Sequence, residues 1–397
     1  MRMTLERTSQ RISGLQPTAV NAIMEEVRAL GKASEKPISL MRGEPDLPTP
    51  DHIVNAAHDA LRNGRTAYPN NQGEPNLRQA VARSMERDHG LHYRWEDEIL
   101  ITSGATFGIY SALSATIDPG DEVLIPEPSY DAYRGVVELL GGTVAPLRSK
   151  CTAGRYSFDQ QAFASSVSPR TRAILINTPW NPTGTVFQLT ELESLARFAA
   201  QAGLIVISDE IYEKLLYDDH QHHNAAGVSA DARQRTILIN SLSKWYAMTG
   251  WRIGYCAGPV DLLRGMALVL QQSSRGPATF VQDAAAVALD GPQDCLVQMR
   301  SEYARRRREV EQALDLPGIQ VYSPEAGFFS MVDVHAISND SNQIRRVLLQ
   351  EHGVVVMHGA AYGPAAEGML RISFASGGSN LTEGLRRLRA GLQSQIS

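Results

Sequence analysis

TILINSLSKWYAMTGWRIGY, residues 236–255, joins a short apolar run to a lysine, two glycines and an arginine. The run TILIN at 236–240 is continuously apolar at its centre, which is typical of a strand buried on both faces of a parallel sheet. Lysine is seldom buried unless it is paired or has a chemical task. The position of Lys244 shortly after this strand therefore raises the question of what its amine does.

Four more apolar runs precede this stretch, and longer helical patterns separate them. The runs are EILIT (98–102), EVLIP (122–126), AILIN (173–177) and LIVIS (204–208). Short β-rich runs that alternate with helical patterns predict βα units, which build a mostly parallel sheet with helices on both faces. We therefore predict an α/β fold of three layers, αβα.

The chain has 397 residues, 43% of them hydrophobic, which is more than one core usually holds. From about residue 290 the pattern changes to a charged helix and strand-like segments such as MLRISFA (369–375), as in a smaller α+β domain. We expect residues 48–289 to form the large domain and residues 290–397 the small one. Residues 1–47 are expected to join the small domain.

Composition argues against several classes of partner. The net charge of -5 and the dispersed Lys and Arg residues offer no general field for nucleic acid or an anionic membrane. Residues 99–117 are uncharged and long enough to span a bilayer, but Gly, Ser and Thr dilute them, so we predict a strand, a turn and a helix. The three cysteines fit no disulfide framework and no secretory signal is evident, so we expect a cytoplasmic protein.

Two clusters of charged or titratable residues are expected at the surface. The run RRRR at 305–308 lies in a helical pattern and predicts a solvated helix face. His220, His222 and His223 in DDHQHHNAAG have no spacing typical of a metal site. We therefore predict a polar surface loop there, and no metal.

The residues that follow the apolar runs carry the chemistry, because ligands of an open parallel sheet bind beyond the carboxyl ends of its strands. Ser103, Gly104 and Ala105 follow the first run at a predicted helix start, where free N–H groups and the helix dipole favour a phosphate. Tyr130 and Tyr133 follow the second run, where a ring can stack on a flat heterocycle.

The last three runs are followed by amide, carboxylate and cationic side chains. The rigid turn TPWNPTG (178–184) presents Asn181, and Asp209 stands just beyond LIVIS with Tyr212 three residues later. The fifth run leads to Ser241, Ser243, Lys244 and Arg252. Each feature alone also has an ordinary structural explanation, such as a turn, a helix cap or an exposed lysine.

One ligand would account for all five positions, namely a phosphorylated, flat aromatic ring that bears an aldehyde and a basic nitrogen. The serines and Arg252 would hold the phosphate. Asp209 would keep the ring nitrogen protonated, because a nearby opposite charge favours the charged form. Lys244 would form a Schiff base with the aldehyde, as lysine amines do with carbonyl cofactors.

The motifs SLSKWYAMTGWRIGY, NTPWNPTG, SDEIY and LRISFA together resemble the class I/II aminotransferases of pyridoxal-phosphate fold type I, close to the bacterial aspartate aminotransferases. The resemblance runs from LMRGEPDLPTP to the last helix. It implies the fold of that family, pyridoxal 5'-phosphate as cofactor, and transamination between an L-amino acid and a 2-oxo acid by a ping-pong mechanism. It also implies a homodimer with shared active sites.

The resemblance further implies roles for individual residues in holding the cofactor. Lys244 would be the linked lysine, Asp209 the partner of the ring nitrogen, and Tyr212 and Asn181 the partners of the ring oxygen. Tyr130 would take the stacking position. The phosphate-binding residues would be Ser103, Gly104, Ala105, Ser241, Ser243, Arg252 and, from the other subunit, Tyr68.

Substrate recognition is implied for a second group of residues. Arg371 in LRISFA matches the arginine that binds the substrate α-carboxylate through a bidentate pair, with Asn181 nearby, and Gly43 would allow close approach of the backbone. Arg42 and Arg275 are candidates for binding a distal carboxylate, although each could equally be a surface arginine. Asp131, beside Tyr130, could instead attract a cationic side chain, so acidic, basic and neutral donors all remain open.

Two alternatives to transamination remain, another reaction with the same cofactor and a non-enzymatic role, while a nicotinamide-binding enzyme is rejected. Lyases, decarboxylases and oxidases use the same cofactor and scaffold, and a fold does not determine the reaction. Arg371 and Lys244 favour removal of the α-proton with the carboxylate retained. A nicotinamide-binding enzyme would need a G-x-G-x-x-G motif after a strand, which the sequence lacks. A transcription regulator with an aminotransferase-like domain would need an added DNA-binding domain, for which we expect no spare length.

Overall fold

The computed structural model describes residues 9–30 and 36–396. Seven of its strands form the central sheet, and the others belong to smaller sheets. In chain order the strands are β1 (Ile38–Ser39), β2 (Ile99–Thr102), β3 (Glu122–Pro126), β4 (Thr143–Leu147), β5 (Ser149–Thr152), β6 (Arg155–Phe158), β7 (Thr171–Asn177), β8 (Ile205–Asp209), β9 (Thr236–Ser241), β10 (Gly254–Ala257), β11 (Gln320–Tyr322), β12 (Phe329–Asp333), β13 (Val354–Val355), β14 (Met357–His358) and β15 (Met369–Ser373).

Helices connect these strands and cover the sheets. They are α1 (Gln10–Ser13), α2 (Ala19–Ala29), α3 (Asp51–Arg62), α4 (Pro75–His89), α5 (Ala105–Thr116), α6 (Ala132–Leu139), α7 (Leu189–Ala202), α8 (Ala230–Arg235), α9 (Val260–Gln271), α10 (Thr279–Asp290), α11 (Asp294–Ala313), α12 (Ser341–His352) and α13 (Gly378–Ile396).

The seven-stranded sheet is mostly parallel, in the order β2-β10-β9-β8-β7-β3-β4. Only β10 runs antiparallel to its neighbours β2 and β9, while the remaining pairs are parallel. All five apolar runs form strands of this sheet, which confirms that part of the sequence prediction. The uncharged stretch 99–117 forms β2 and α5, also as predicted.

Alternate residues of a strand point to opposite faces of the sheet, and the core divides accordingly. In β7, Ile174 and Ile176 pack toward α7, whereas Ala173 and Leu175 pack toward α5, α6 and α9. A further cluster packs α3, α4 and α10 against β2 and β10. The fold is therefore the predicted αβα arrangement, with apolar layers on both faces of the sheet.

The C-terminal region builds a four-stranded sheet in the order β11-β12-β15-β14, covered by α11, α12 and α13. β1 pairs in parallel with β13, which attaches residues 38–39 to this region. The exact domain boundaries after residues 47 and 289 remain predictions. Within residues 9–30 and 36–396, no helix is long and apolar enough to cross a membrane.

Two surface predictions are wrong in part. Arg306 and Arg307 on α11 are buried, and they donate to the carbonyls of Ala375 and Pro324 while also pairing with the exposed Asp46 at 2.8 Å and the exposed Asp218 at 2.9 Å. The side chain of His222 is only 4% exposed, because it lies 2.7 Å from a carboxylate oxygen of Glu210. A run of charges or histidines does not show which of its members will be buried in the folded chain.

Candidate active site

A cavity of about 550 Å³ lies where the parallel strands of the central sheet end. Asn177, Asp209 and Ser241, the last residues of β7, β8 and β9, contribute to its wall. The site residues predicted from the sequence that line it are Arg42, Gly43, Ala105, Tyr130, Asn181, Asp209, Tyr212, Ser241, Ser243, Lys244, Arg252 and Arg371.

The amine of Lys244 faces this cavity from the loop after β9. Its Nζ donates a hydrogen bond to the carbonyl of Gly43 at 2.8 Å. Burial lowers the pKa of Lys244 to about 8, against the opposing effect of the nearby carboxylates of Glu44 and Asp209. A substantial fraction of this amine is therefore neutral near physiological pH, unlike an exposed lysine amine.

The carboxylate of Asp209 lies at the inner end of the cavity and is almost completely buried. The hydroxyl of Tyr133 donates to its Oδ2 at 2.7 Å. Burial raises the pKa of Asp209 to about 6, although the hydrogen bond from Tyr133 acts in the opposite direction. Because the protein offsets only part of the cost of burying this negative charge, the carboxylate of Asp209 is suited to pairing with a cationic ligand group.

Arg371 on β15 is a buried guanidinium at another wall of the cavity. Its Nη1 donates to Asn181 Oδ1 at 3.2 Å and its Nη2 to the carbonyl of Met41 at 2.7 Å, while its Nε has no partner among the described residues. The ring of Phe329 lies 4.0 Å beneath the guanidinium carbon. Arg371 is therefore held rigidly at the cavity wall, where its guanidinium offers positive charge to an anion.

A cradle of small residues surrounds Arg252 at the end of the sheet. Gly104 precedes α5 with a φ of 84°, and a Cβ atom there would lie 2.9 Å from Nη2 of Arg252. The hydroxyl oxygens of Ser241 and Ser243 are 2.7 Å apart at the opposite side. The free N–H groups at the start of α5, the hydroxyls and the guanidinium have the chemistry of a phosphate-binding site.

Four predicted residues do not line the cavity of this chain. Ser103 and Gly104 lie next to its wall, and the hydroxyl oxygen of Ser103 is 3.4 Å from that of Ser274. The side chain of Tyr68 is 87% exposed, and the guanidinium of Arg275 lies 5.8 Å from its ring. Tyr68 and Arg275 thus form a pair on the outer surface.

The sequence and structure have recognisable relatives. Residues 35–388 match the family model described as aminotransferase class I and II. The chain belongs to this family. An aspartate aminotransferase of Bacillus sp. (strain YM-2) is 34% identical over 390 residues, which is 96% of this chain and 98% of that protein.

Two solved structures show how closely this aminotransferase follows the family fold. The aspartate aminotransferase from Rhizobium meliloti has a TM-score of 0.93 at 31% identity and covers 98% of this chain and 99% of its own. The N-succinyldiaminopimelate aminotransferase from Mycobacterium tuberculosis has a TM-score of 0.91 at 32% identity, and the match covers 97% of this chain and 100% of that protein's chain. This protein is therefore a transaminase, and the family implies pyridoxal phosphate as its cofactor.

Phe329 and Asn177 were not assigned a role from the sequence, and Tyr133, which was considered only as a stacking ring, has a different one. Tyr133 fixes Asp209, Phe329 supports Arg371, and Asn177 links two predicted residues. The amide of Asn177 donates to the carbonyl of Asp209 at 2.8 Å, and its Oδ1 accepts from the backbone N–H of Asn181 at 2.7 Å. Asn177 could have been found, because it ends the run AILIN as Asp209 and Ser241 end their strands.

A buried charged cluster lies on the other side of β8 from the ligand cavity. Glu210, Glu213 and His222 place one ligand atom each within 4.8 Å of one another, which is a donor set able to hold a metal ion. His89 lies 2.9 Å and Lys214 3.7 Å from oxygens of Glu213, so positive charge is already supplied by the protein. These contacts with His89 and Lys214 explain the cluster as a structural feature of the fold, and we assign no metal to it.

Proposed function

We propose that the protein is a pyridoxal-phosphate-dependent transaminase that exchanges the amino group between a dicarboxylic L-amino acid and a 2-oxo acid. The observation that carries this proposal is the position of a buried, readily neutralised amine, Lys244, in one cavity with Asp209 and Arg371. The names of the aspartate aminotransferase relatives support the choice of substrate.

The residues of the cavity fit pyridoxal phosphate on physical grounds. The phosphate would lie in the cradle formed by Ser241, Ser243, Arg252 and the start of α5. The buried Asp209 would pair with the protonated ring nitrogen, which offsets the cost of burying its charge. Tyr130 would cover the ring, and the hydroxyl of Tyr212 and the amide of Asn181 would bind its oxygen.

When bound, pyridoxal phosphate supplies an aldehyde and an electron-withdrawing ring, which together allow the α-proton of an amino acid to leave. Lys244 would hold the cofactor through its aldehyde, and its neutral Nζ would accept the α-proton of the amino acid and return it. Arg371 orients the substrate by its α-carboxylate. Asn181 and Phe329 keep that guanidinium in place, which avoids reorganisation during the reaction.

Substrate choice depends on cations at the outer part of the cavity. Arg42 lines the cavity with a side chain that is 60% exposed, and its nearest carboxylate, Glu44, is 4.0 Å away. This loosely held guanidinium is able to pair with a distal carboxylate, and Arg275 would add a second one if it reaches the site of a partner subunit. The alternative is a basic or neutral donor with pyruvate, and for a basic donor Asp131 would be the group that attracts the cationic side chain.

The proposal includes a cytoplasmic homodimer. The exposed Tyr68 and Arg275 would complete the site of the other subunit, where Tyr68 would contact the phosphate. An interface would also explain why a large aromatic side chain is left so exposed on this surface. The three cysteines are unpaired in the structure, which agrees with a reducing compartment.

The test is a comparison of kcat/KM for aspartate, glutamate, alanine and arginine with pyruvate, 2-oxoglutarate and oxaloacetate. We expect the dicarboxylic donors to be preferred in the native protein, and this preference to fall in Arg42→Ala or Arg275→Ala while alanine is unaffected. Equal losses for acidic and neutral donors in both variants would contradict the dicarboxylate assignment. No amino transfer from any donor would contradict the proposed function itself.

A further inference from the structure

The N-terminal helix α2 forms one wall of the cavity, and its attachment identifies a further residue that controls substrate binding. Thr18, Val20 and Asn21, at the start of this helix, line the cavity together with Arg42 and Arg371. The outer part of the substrate compartment therefore exists only when the first turn of α2 is in place.

The first turn of α2 lacks the usual local cap. The first N–H groups of a helix have no partner within the helix, and the side chain just before it usually satisfies one of them. Thr18 occupies that position, but its side chain makes no capping hydrogen bond. The N–H of Ala19 instead donates to Oδ2 of Asp131 at 2.8 Å, across 112 positions of sequence.

Asp131 is well placed for this role because it follows Tyr130 at the cavity wall and precedes α6. A carboxylate at the start of a helix also gains from the helix dipole. The later part of α2 is fastened separately, through the buried Ile23 and a bidentate pair between Glu26 and Arg345 at 2.7 and 2.9 Å. Loss of the Asp131 contact would therefore loosen the first turn without detaching the whole helix.

We propose that Asp131 is a positioning residue that holds the first turn of α2 as the outer wall of the substrate compartment. This inference rests on the proposed transamination only for the identity of the substrate. It assigns the Asp131 oxygen to the backbone of α2, so that this group serves the wall of the site and is not a recognition group for a cationic side chain.

The experiment compares Asp131→Ala with Asp131→Asn in the cofactor-loaded protein. The amide oxygen of Asn can still accept the hydrogen bond from Ala19, whereas Ala cannot. We expect Asp131→Ala to raise the KM for aspartate about tenfold with kcat changed less than about twofold, the loss that one hydrogen bond can produce. Asp131→Asn should restore KM to within about threefold of the native value.

Hydrogen exchange gives a readout that does not depend on turnover. In Asp131→Ala, amides at the start of α2 should exchange faster than in the native protein, while amides of α6 should exchange at the native rate. In Asp131→Asn, amides at the start of α2 should also exchange at the native rate. Glu138→Ala, at the surface of the same helix α6, is the matched control and should change neither KM nor exchange.

A native-like KM and native-like hydrogen exchange in Asp131→Ala would overturn the proposal. A KM and exchange in Asp131→Asn as altered as those of Asp131→Ala would also overturn it, because the charge of Asp131 would then matter and not the hydrogen bond that it accepts. A shift of preference from arginine toward aspartate in Asp131→Asn would also overturn it in favour of direct recognition. If no amino acid is turned over, the exchange result still decides the role of Asp131 while the proposed function fails.

Discussion

At the scale of single residues, the lowered pKa of Lys244 makes the most direct prediction. The amine attacks an aldehyde only when neutral, and burial brings its pKa to about 8. The rate at which cofactor-free protein takes up pyridoxal phosphate should therefore rise about tenfold per pH unit up to pH 8 and level off above it. Stopped-flow absorbance at constant ionic strength measures this rate.

Borohydride reduction after loading should fix the label on Lys244, and peptide mapping identifies the residue. Lys244→Ala should fold, bind no covalent label and show no turnover. Lys150→Ala is the matched control, because Lys150 is exposed and pairs with Asp159 far from the cavity lining. A rate that keeps rising beyond pH 10, as for an exposed lysine amine, would show that Lys244 is not desolvated.

The adjacent carboxylates Asp209 and Glu210 should respond to substitution in opposite ways. Glu210 accepts hydrogen bonds from the Ser208 hydroxyl, the Asn224 amide and the Ala225 N–H, so Glu210→Gln should cost about 1 to 3 kcal/mol of stability and leave cofactor affinity nearly unchanged. Asp209→Asn should instead weaken binding of pyridoxal phosphate by about tenfold or more, because the partner of the ring nitrogen loses its charge.

Asp209→Asn has a second expected effect, on the cofactor-free protein. Because burial raises the pKa of Asp209 to about 6, its contribution to stability is present below the unfolded pKa of about 4 and is lost as pH rises through 6. At pH 8 the Asn variant should therefore melt at the native temperature or above it. A lower Tm for Asp209→Asn than for Glu210→Gln would mean that the two roles are reversed.

At the scale of elements, the junction between α4 and the segment after β8 depends on the pair of His89 and Glu213. Burial alone would lower the pKa of His89, but the charge and hydrogen bond of Glu213 outweigh it and raise the pKa. Burial alone would raise the pKa of Glu213, but Lys214 and His89 lower it to about 2. His89 thus stabilises the fold most fully in its charged form.

The raised pKa fixes the sign of the pH dependence. The stabilisation from His89 should be complete below its unfolded pKa of about 6.5 and should be lost as pH rises through the higher folded value. The Tm difference between native protein and His89→Gln should therefore be largest near pH 6 and shrink toward pH 9. His58→Gln, at an exposed histidine of α3, is the control, and a constant difference would show that His89 is neutral throughout.

At the scale of the whole molecule, the prediction concerns the subunit interface. If Tyr68 contacts the phosphate of a partner, Tyr68→Phe should raise the Kd for pyridoxal phosphate about three- to tenfold, the loss of one hydrogen bond to a charged group. Cofactor affinity should also fall on dilution below the dimer dissociation constant, which sedimentation measures in parallel. Tyr110→Phe on α5 is the control, and a monomer with native cofactor affinity would contradict the shared site.

The main sheet and most of the cavity wall could be predicted from local patterns in the sequence. Buried parallel strands are short, continuous apolar runs, and their carboxyl ends meet at one edge, so the residues after the runs could be assigned to one site. This local rule predicted that Lys244, Asp209 and Asn181 lie together, and all three line the cavity. It required no knowledge of contacts between distant segments.

The contacts that hold these groups could not be predicted, because they join segments that are far apart in the chain. Tyr133 and Asp209 are 76 positions apart, Ala19 and Asp131 are 112 apart, and Arg371 and Asn181 are 190 apart. Likewise, nothing in RRRR shows that Arg306 is buried and donates to the carbonyl of Ala375. Such pairs form because burial leaves a polar group no alternative partner, and which groups are buried together depends on how the whole chain packs.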